Sequence, residues 1–190
     1  MVNGSTYKHI LTVCAAVLML FLACSQANAQ QVGLKTNALF WTLGSPNLGC
    51  EVVVGDHSSL DFSAFGHYRP YGLDSKVLAF QPEYRYWFSG RPMTREYIGA
   101  SVMLAGYDMA MRNYVYDGNA LSLGLTGGYA FLLGKKWRFE LSGGFGFLIF
   151  RQKQYYKTDD SYEGPAVPAN SWGYKLFPAK LGISFTYILR

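Results

Sequence analysis

The sequence predicts an all-β fold, an eight-stranded antiparallel up-and-down transmembrane β-barrel that follows a cleaved signal peptide. Three observations predict it: an apolar N-terminal segment, long stretches of alternating hydrophobicity, and an unusual composition. Aromatic residues make up 17% of the 190 residues and charged residues only 15%, where about 25% charged is typical of globular chains. This composition favours β-strands that meet an apolar solvent on one face, and it disfavours a helical soluble enzyme.

The N-terminus has the three parts of a signal peptide. Lys8 lies in a short polar region, residues 10–23 are apolar and uncharged, and Ala27 and Ala29 supply a small-x-small cleavage pattern. The apolar run is shorter than the roughly 20 residues that a membrane-spanning helix needs. We therefore expect residues 1–29 to be a signal peptide and residues 30–190 to form the barrel.

Cys24 leaves a second export route open. A lipoprotein signal ends in a small residue followed by a cysteine that becomes acylated, and Cys24 follows an alanine. Cleavage after Ala29 would instead leave Cys50 as the single cysteine of the mature chain. One cysteine can form neither an intramolecular disulfide nor a multi-cysteine metal site.

Alternating hydrophobicity marks the strands after residue 31. The clearest stretch begins with Trp137, Phe139 and Leu141 on one face and Arg138 and Glu140 on the other, which is the period of a β-strand. Strands are predicted at 33–41, 47–54, 59–68, 77–88, 96–107, 119–132, 136–150 and 176–189. Pro82, inside the fourth, cannot donate a ladder hydrogen bond, so we expect a bulge there.

The predicted strands and connections are those of an outer-membrane barrel. The connections 55–58 and 133–135 are short, whereas 151–175 is long and polar; short periplasmic turns and longer outer loops characterise such barrels. An even strand number places both termini on the periplasmic side. Aromatic residues lie near the predicted strand ends, as membrane interfaces favour: Tyr68, Trp87, Tyr97, Tyr107, Trp137, Phe150, Trp172, Tyr174 and Tyr187. A soluble lipocalin-like barrel would also alternate, but its outer face should be polar.

The opposite face of the strands should fill the lumen. An eight-stranded barrel is just wide enough for its own side chains. By parity the inward residues include four acids, four bases and one amide: Lys35, Asn37, Glu51, Asp61, Glu83, Arg85, Arg138, Glu140 and Lys180. Balanced charges predict a polar plug, because buried charges must be paired. A narrow channel or proton path is the alternative interpretation.

Catalytic groups are sparse. His67 shares parity with Asp61 and Ser63, which suggests a Ser-His-Asp arrangement, but same-face neighbours on a strand lie about 6.6 Å apart. We predict no catalytic residue, cofactor or metal site. A lipid- or envelope-modifying enzyme remains an alternative by analogy of fold. The net charge of +5 is not clustered, so no nucleic-acid partner is expected.

The segment 151–175 is the predicted contact region with the outside. It combines aromatic residues with scattered charge, which protein interfaces use. The contact candidates are Tyr155, Tyr156, Tyr162, Trp172 and Tyr174. A solvated loop with interface aromatics explains the same residues.

Several segments resemble a family of small outer-membrane barrels that is classed as a domain of unknown function. They are residues 35–41 (KTNALFW), 46–49 (PNLG), 81–88 (QPEYRYWF), 136–140 (KWRFE) and 180–184 (KLGIS). The family occurs in Gram-negative gut and oral anaerobes, often beside fimbrial genes. The resemblance implies an outer-membrane location, with membrane lipid around the barrel, and a cell-surface or fimbrial protein partner. It transfers no catalytic residue to this chain.

Overall fold

The computed structural model describes residues 31–111, 114–156 and 169–189, and it folds them into one closed antiparallel barrel. Each strand pairs with the next along the chain, and the last pairs with the first. The strands are β1 (Val32–Asn37), β2 (Asn47–Gly55), β3 (Ser58–Tyr68), β4 (Ser75–Trp87), β5 (Arg95–Met111), β6 (Tyr114–Leu132), β7 (Trp137–Tyr156) and β8 (Ala169–Ile188). The prediction of eight up-and-down strands is confirmed.

The predicted signal peptide at 1–29, including Cys24, lies outside the described residues. In the part of the chain that is described, no helix has the length and hydrophobicity to cross a bilayer.

The first strand is shorter than predicted. β1 ends at Asn37, and Ala38–Thr42 form a helical turn, α1, instead of continuing the strand. The Asn37 side chain caps this helix by accepting a hydrogen bond from the backbone N–H of Leu39, which is how Asn stabilises a helix start. The prediction of strand through residue 41 was wrong because the local cap outweighed the apolar pattern.

The barrel has two unequal ends. The proximal end carries the turn at 56–57 together with Val32 and Ile188, the first and last residues of the sheet. At the opposite, distal end β5 to β8 extend far beyond β1, with 17, 19, 20 and 20 residues against 6. The prediction of a loop over 151–175 was wrong for the residues that the structure describes there, because Arg151–Tyr156 belong to β7 and 169–175 to β8.

The outer face of the barrel is apolar and exposed. Side chains on alternate positions of β6, β7 and β8 point outward and are exposed, among them Leu121, Leu123, Leu125, Phe145, Phe147 and Leu181. Trp137, Tyr68, Trp172 and Tyr174 are exposed as well. Trp87 and Tyr97 are instead fully or nearly buried, and Tyr107 and Phe150 line an inner cavity. Parity along the strand, not distance from its end, decides where these rings point.

Pro82 lies in regular strand without the expected bulge. It pairs with Phe62 of β3 in unbroken register. On the β5 side the ladder pauses between the pairs Phe80↔Leu104 and Glu83↔Ser101 and resumes in the same register. The missing N–H of Pro82 therefore interrupts the pairing with β5 locally, but no extra residue is inserted as it would be in a bulge. Irregularities occur instead between Val53 and Gly55 and between Gly144 and Gly146.

Candidate functional site

The proximal half of the lumen contains a buried ion cluster. Its members come from six strands and consist of four carboxylates and three cations: Lys35, Glu51, Asp61, Glu83, Arg85, Glu140 and Lys180. Arg85 is fully buried and Lys35 is 4% exposed. Ions taken out of water are costly unless they are paired and hydrogen-bonded. The charged groups of the cluster are paired by cross-strand contacts, with Arg85 Nε left without a hydrogen-bond partner among the described residues, and these contacts also tie distant strands together.

The two most buried cations lie between several carboxylates. The Lys35 ammonium donates to Glu51, Asp61 and Glu140 at 2.8, 2.9 and 2.8 Å, which uses all three of its protons. The Arg85 guanidinium contacts the same three carboxylates and also Glu83, at 2.5 to 3.1 Å. Each carboxylate oxygen that faces the centre of the cluster is therefore shared between cations.

Hydroxyl groups satisfy the other oxygen of each carboxylate. The four donor and acceptor pairs are Ser59 with Glu51 at 2.6 Å, Ser63 with Asp61 at 2.7 Å, Tyr97 with Glu140 at 3.0 Å, and Thr126 with Glu83. Tyr97 belongs to β5 and Thr126 to β6, so these two strands, which contribute no charge, still join the network. All eight strands thus take part in one polar assembly.

Close approach of β4, β5 and β6 depends on a glycine. A Cβ at Gly99 would lie 2.6 Å from Thr126 Oγ1, 2.7 Å from Glu83 Oε1 and 2.9 Å from the Tyr84 carbonyl oxygen. Such distances exclude any larger residue without displacement of the carboxylate. Gly99 therefore makes room for the bond between Thr126 and Glu83.

Aromatic and sulfur-containing side chains close the proximal end below the cluster. The Trp87 indole donates to Ser59 Oγ at 2.8 Å and packs on Tyr97, with 4.7 Å between ring centroids. Met93 in the β4–β5 connection is 2% exposed and lies next to Gly33. It adopts a positive φ of 58°, which is uncommon for a residue with a side chain. This turn conformation inserts Met93 into the barrel end.

Two residues predicted for the lumen plug are not part of the ion cluster, although Asn37 does line the second lumen cavity. Arg138 is at the proximal rim, where its guanidinium donates to the backbone carbonyls of Gly134 and Trp137 at 3.0 Å. Asn37 terminates β1 and bonds to backbone groups of Leu181 and Ile183. Without Arg138 the described cluster holds four carboxylates against three cations, so the expected charge balance was wrong by one.

The imagined Ser-His-Asp arrangement is not formed. The His67 ring nitrogens contact Ser45 Oγ at 2.8 Å and Ser75 Oγ at 2.9 Å. Ser63 and Asp61 bond to each other within the ion cluster. Among the described residues, no three His, Cys, Asp or Glu side chains are grouped as metal ligands.

The distal half of the lumen is hollow and apolar. A cavity of about 310 Å³ lies between β3, β4, β5, β6, β7 and β8. Its wall includes Phe65, Ala79, Met103, Ala120, Leu148 and Phe177. A second cavity of about 250 Å³ shares Phe65, Met103 and Phe177 and reaches Lys35 and Lys180 of the ion cluster. The interior is thus a polar proximal half beneath an apolar distal half.

The predicted contact residues are on strands, as far as they are described. Trp172 and Tyr174 lie on the outward face of β8, and each is 74% exposed. Tyr155 and Tyr156 end β7, and Tyr162 lies outside the described residues. The exposed aromatic pair therefore sits on a strand extension with a fixed direction.

The alternation of residues in the sequence did not reveal the hydroxyl ligands of the cluster or the distal cavity. Tyr97 alternates with Gly99 and Ser101 on the inward parity, and that signal could have placed it in the lumen. In β7, Leu148 and Phe150 continue the parity of Gly144 and Gly146. This change from glycine to large apolar residues on the inward face of β7 was the sign in the sequence that the distal half of the lumen is apolar.

Comparison with known proteins identifies the family to which the chain belongs. The model of the family described as "Protein of unknown function (DUF3575)" matches residues 15–189. The chain belongs to this family, and the resemblance to a family of unknown function is confirmed. No curated protein and no solved structure matches the chain.

Proposed function

We propose that this member of the family is an outer-membrane β-barrel with a structural or interaction role at the cell surface. The observation that carries the proposal is the outward face of β6 to β8. Leu123, Leu125 and Phe145 are 55%, 67% and 70% exposed on it. Contiguous exposed apolar surface marks contact with a membrane or a partner. A band of this kind around a closed barrel matches a bilayer-facing belt.

The positions of the strand ends support an orientation of the barrel in the membrane. Both ends of the described barrel, at Val32 and Ile188, lie at the proximal end with the two-residue turn at 56–57. Short turns and both termini face the periplasm in outer-membrane barrels. We therefore infer that the distal extensions of β5 to β8 face the cell exterior.

An interaction role is favoured over transport by the polar cluster. Arg85 and its carboxylate partners are nearly inaccessible to solvent, and Trp87 and Met93 pack below them. A path for hydrated ions would need these contacts to break. Purified barrels should therefore give no current steps in planar bilayers, and steady conductance would favour the channel alternative.

The partner is inferred to contact the distal extension of β8. Trp172 and Tyr174 expose large aromatic side chains there, and aromatic residues are enriched in protein interfaces. A cell-surface or fimbrial protein is the partner that the family resemblance implies. The enzyme alternative keeps no specific support, since His67 contacts only two serine hydroxyls and no carboxylate among the described residues.

Location is tested by fractionation followed by gel electrophoresis of boiled and unboiled samples. A folded barrel in the outer-membrane fraction should migrate differently before and after heating. A periplasmic location, or identical migration, would contradict the proposal.

The interaction role is tested with the double variant Trp172→Ala, Tyr174→Ala. Chemical cross-linking on whole cells should lose its adduct to a surface or fimbrial protein, while heat-dependent migration stays unchanged. Leu181→Ala, on the outward face of the same strand nearer the proximal end, is the matched control. An unchanged adduct in the double variant would refute a partner site on this face.

A further inference from the structure

The distal cavity has the size and lining of a small-molecule site. Its volume of about 310 Å³ falls at the lower end of ligand pockets, about 300–1,000 Å³. An apolar cavity of about 150 Å³ is enough for one benzene molecule. Most of the wall is formed by aliphatic, aromatic and methionine side chains, among them Phe65, Met103, Leu148, Phe150 and Phe177. This part of the wall offers no hydrogen bonds and favours a hydrocarbon occupant.

Polar groups are confined to one side of this cavity. Tyr107 donates to the Gln152 side chain at 3.0 Å. The Lys175 ammonium lies 5.3 Å from the centroid of the Phe150 ring. Among the described residues, Lys175 is the one charged group on the cavity wall, and no described carboxylate forms a salt bridge with it. The site therefore complements a molecule with an apolar body and one negative charge.

The floor of the cavity keeps the hydrocarbon apart from the ion cluster. Met103 and Phe177 line both cavities. Below them, the Gln81 side chain donates across the lumen to the backbone carbonyl of Ala179 at 2.8 Å. A ligand that enters from the distal side meets apolar groups first and ends above a polar barrier. The polar barrier therefore limits the length of the hydrocarbon chain that the cavity can hold.

The sheet is incomplete beside the second cavity, which Phe40 lines. β8 pairs with β1 only from Ser184 to Ile188, so the described part of β8 before Ser184 has no β1 partner. The helix α1 lies in this gap, where Phe40 contacts Phe65 with 4.6 Å between ring centroids. The helix has no ladder hydrogen bonds to the sheet and is held by side-chain contacts and by the Tyr71 hydroxyl, which donates to the Thr42 carbonyl at 2.6 Å. Because Phe40 lines the second cavity and not the larger one, an amphiphile reaches the larger cavity from the distal end.

We propose that the distal cavity binds an anionic amphiphile with a single aliphatic chain, of the fatty-acid class. The carboxylate pairs with Lys175, and the chain lies along Leu148 and Phe177 toward Met103. This site goes beyond the structural role proposed above and does not depend on it. The polar side of the wall sets the orientation, with the charged head toward the distal mouth.

The connection between β7 and β8 is the competing occupant. Residues 157–168 have the sequence KTDDSYEGPAVP, with four charges in the first seven positions. Charged groups are costly to place in an apolar site, so this segment is a poor chemical match for the cavity. If it nevertheless fills the site, no fatty acid will bind.

The test is a titration of purified barrel in nanodiscs with a fluorescent polyene fatty acid, with empty nanodiscs subtracted. We expect saturable binding of one molecule per barrel. Ala105→Phe fills the cavity and should abolish binding, whereas Ala100→Phe, on the exposed outer face of the same strand, should not. Ala120→Leu is the second filling variant should Ala105→Phe fail to fold. If the barrel proves soluble, the same titration in buffer tests the site by itself.

A separate measurement tests whether Lys175 binds the head group. Lys175→Gln should weaken binding of the acid about tenfold, the effect of one charge-assisted contact, and leave binding of the alcohol of equal chain length unchanged. Absence of saturable binding to folded barrel, or equal binding by the Ala105 and Ala100 variants, would overturn the proposal. Equal loss of acid and alcohol in Lys175→Gln would overturn the carboxylate contact.

Discussion

The side-chain amide of Asn47 pairs with the backbone of Asn37 as a neighbouring strand would. Asn37 N–H donates to Asn47 Oδ1 at 2.6 Å, and Asn47 Nδ2 donates to the Asn37 carbonyl at 2.9 Å. On the other edge, the Asn37 side chain bonds to backbone groups of Leu181 and Ile183 at 3.1 Å. The two amides replace ladder hydrogen bonds where β1 ends, and they let α1 begin without unpaired backbone.

Asn47→Ala should therefore destabilise the barrel. The substitution leaves the half-buried Asn37 N–H and carbonyl without these partners, and one such hydrogen bond contributes about 0.5–1.5 kcal/mol. The free energy of unfolding, measured by urea titration in lipid vesicles, should fall by an amount in that range. Asn119→Ala, at an exposed position of β6, is the control and should be neutral. Equal stability of both variants would show that the amide pairing contributes little.

Arg85→Met should be among the most destabilising single substitutions of the lumen. It leaves four carboxylates with two cations, and loss of one partner from a buried ion pair costs about 3–5 kcal/mol. The temperature at which the unboiled band converts to the unfolded band should fall strongly. Lys76→Met removes the exposed pair with Asp108 at 2.9 Å and should cost at most about 1 kcal/mol. Similar losses in the two variants would contradict the importance of the cluster.

Lys180 and Glu83 should behave as an energetically coupled pair. Lys180 contacts Glu83 directly and is 3.9 Å from Asp61. Removing Lys180 alone as Lys180→Met raises the excess of carboxylates over cations in the cluster from one to two, and Glu83→Gln in the same chain returns it to one. A double-mutant cycle on unfolding free energies should give a coupling of about 0.5–3 kcal/mol. Additive effects would mean that the two residues act independently.

Leu123→Arg distinguishes a bilayer-facing surface from a water-facing one. Leu123 is 55% exposed on the outward face of β6, paired with Phe147 of β7. On a lipid-facing strand, an Arg near the bilayer midplane costs about 2–4 kcal/mol, so folding into vesicles should weaken by that amount. Leu73→Arg, in the β3–β4 connection and 64% exposed, should have little effect. A neutral Leu123→Arg would count against the outer-membrane proposal.

The sequence by itself determined the number of strands and their up-and-down order. It also determined that the seven charged members of the ion cluster point inward. Period-2 alternation carries this information locally, because a side chain can point only to one face or the other. It also indicated family membership through segments such as residues 81–88. The ends of the strands were less well predicted. Alternating hydrophobicity carries no information about the helix cap at Asn37, and it does not limit how far a paired strand continues.

The tertiary structure decided what the inward residues do. Arg138 and Arg85 share an inward parity, yet only Arg85 reaches the carboxylates, because height along the barrel separates them. Tyr97 and Thr126 became ligands of Glu140 and Glu83 only when β4 to β7 were brought into register. The apolar cavity has the same origin: Phe65, Met103 and Phe177 come from three strands, and no local pattern shows that they leave a space between them.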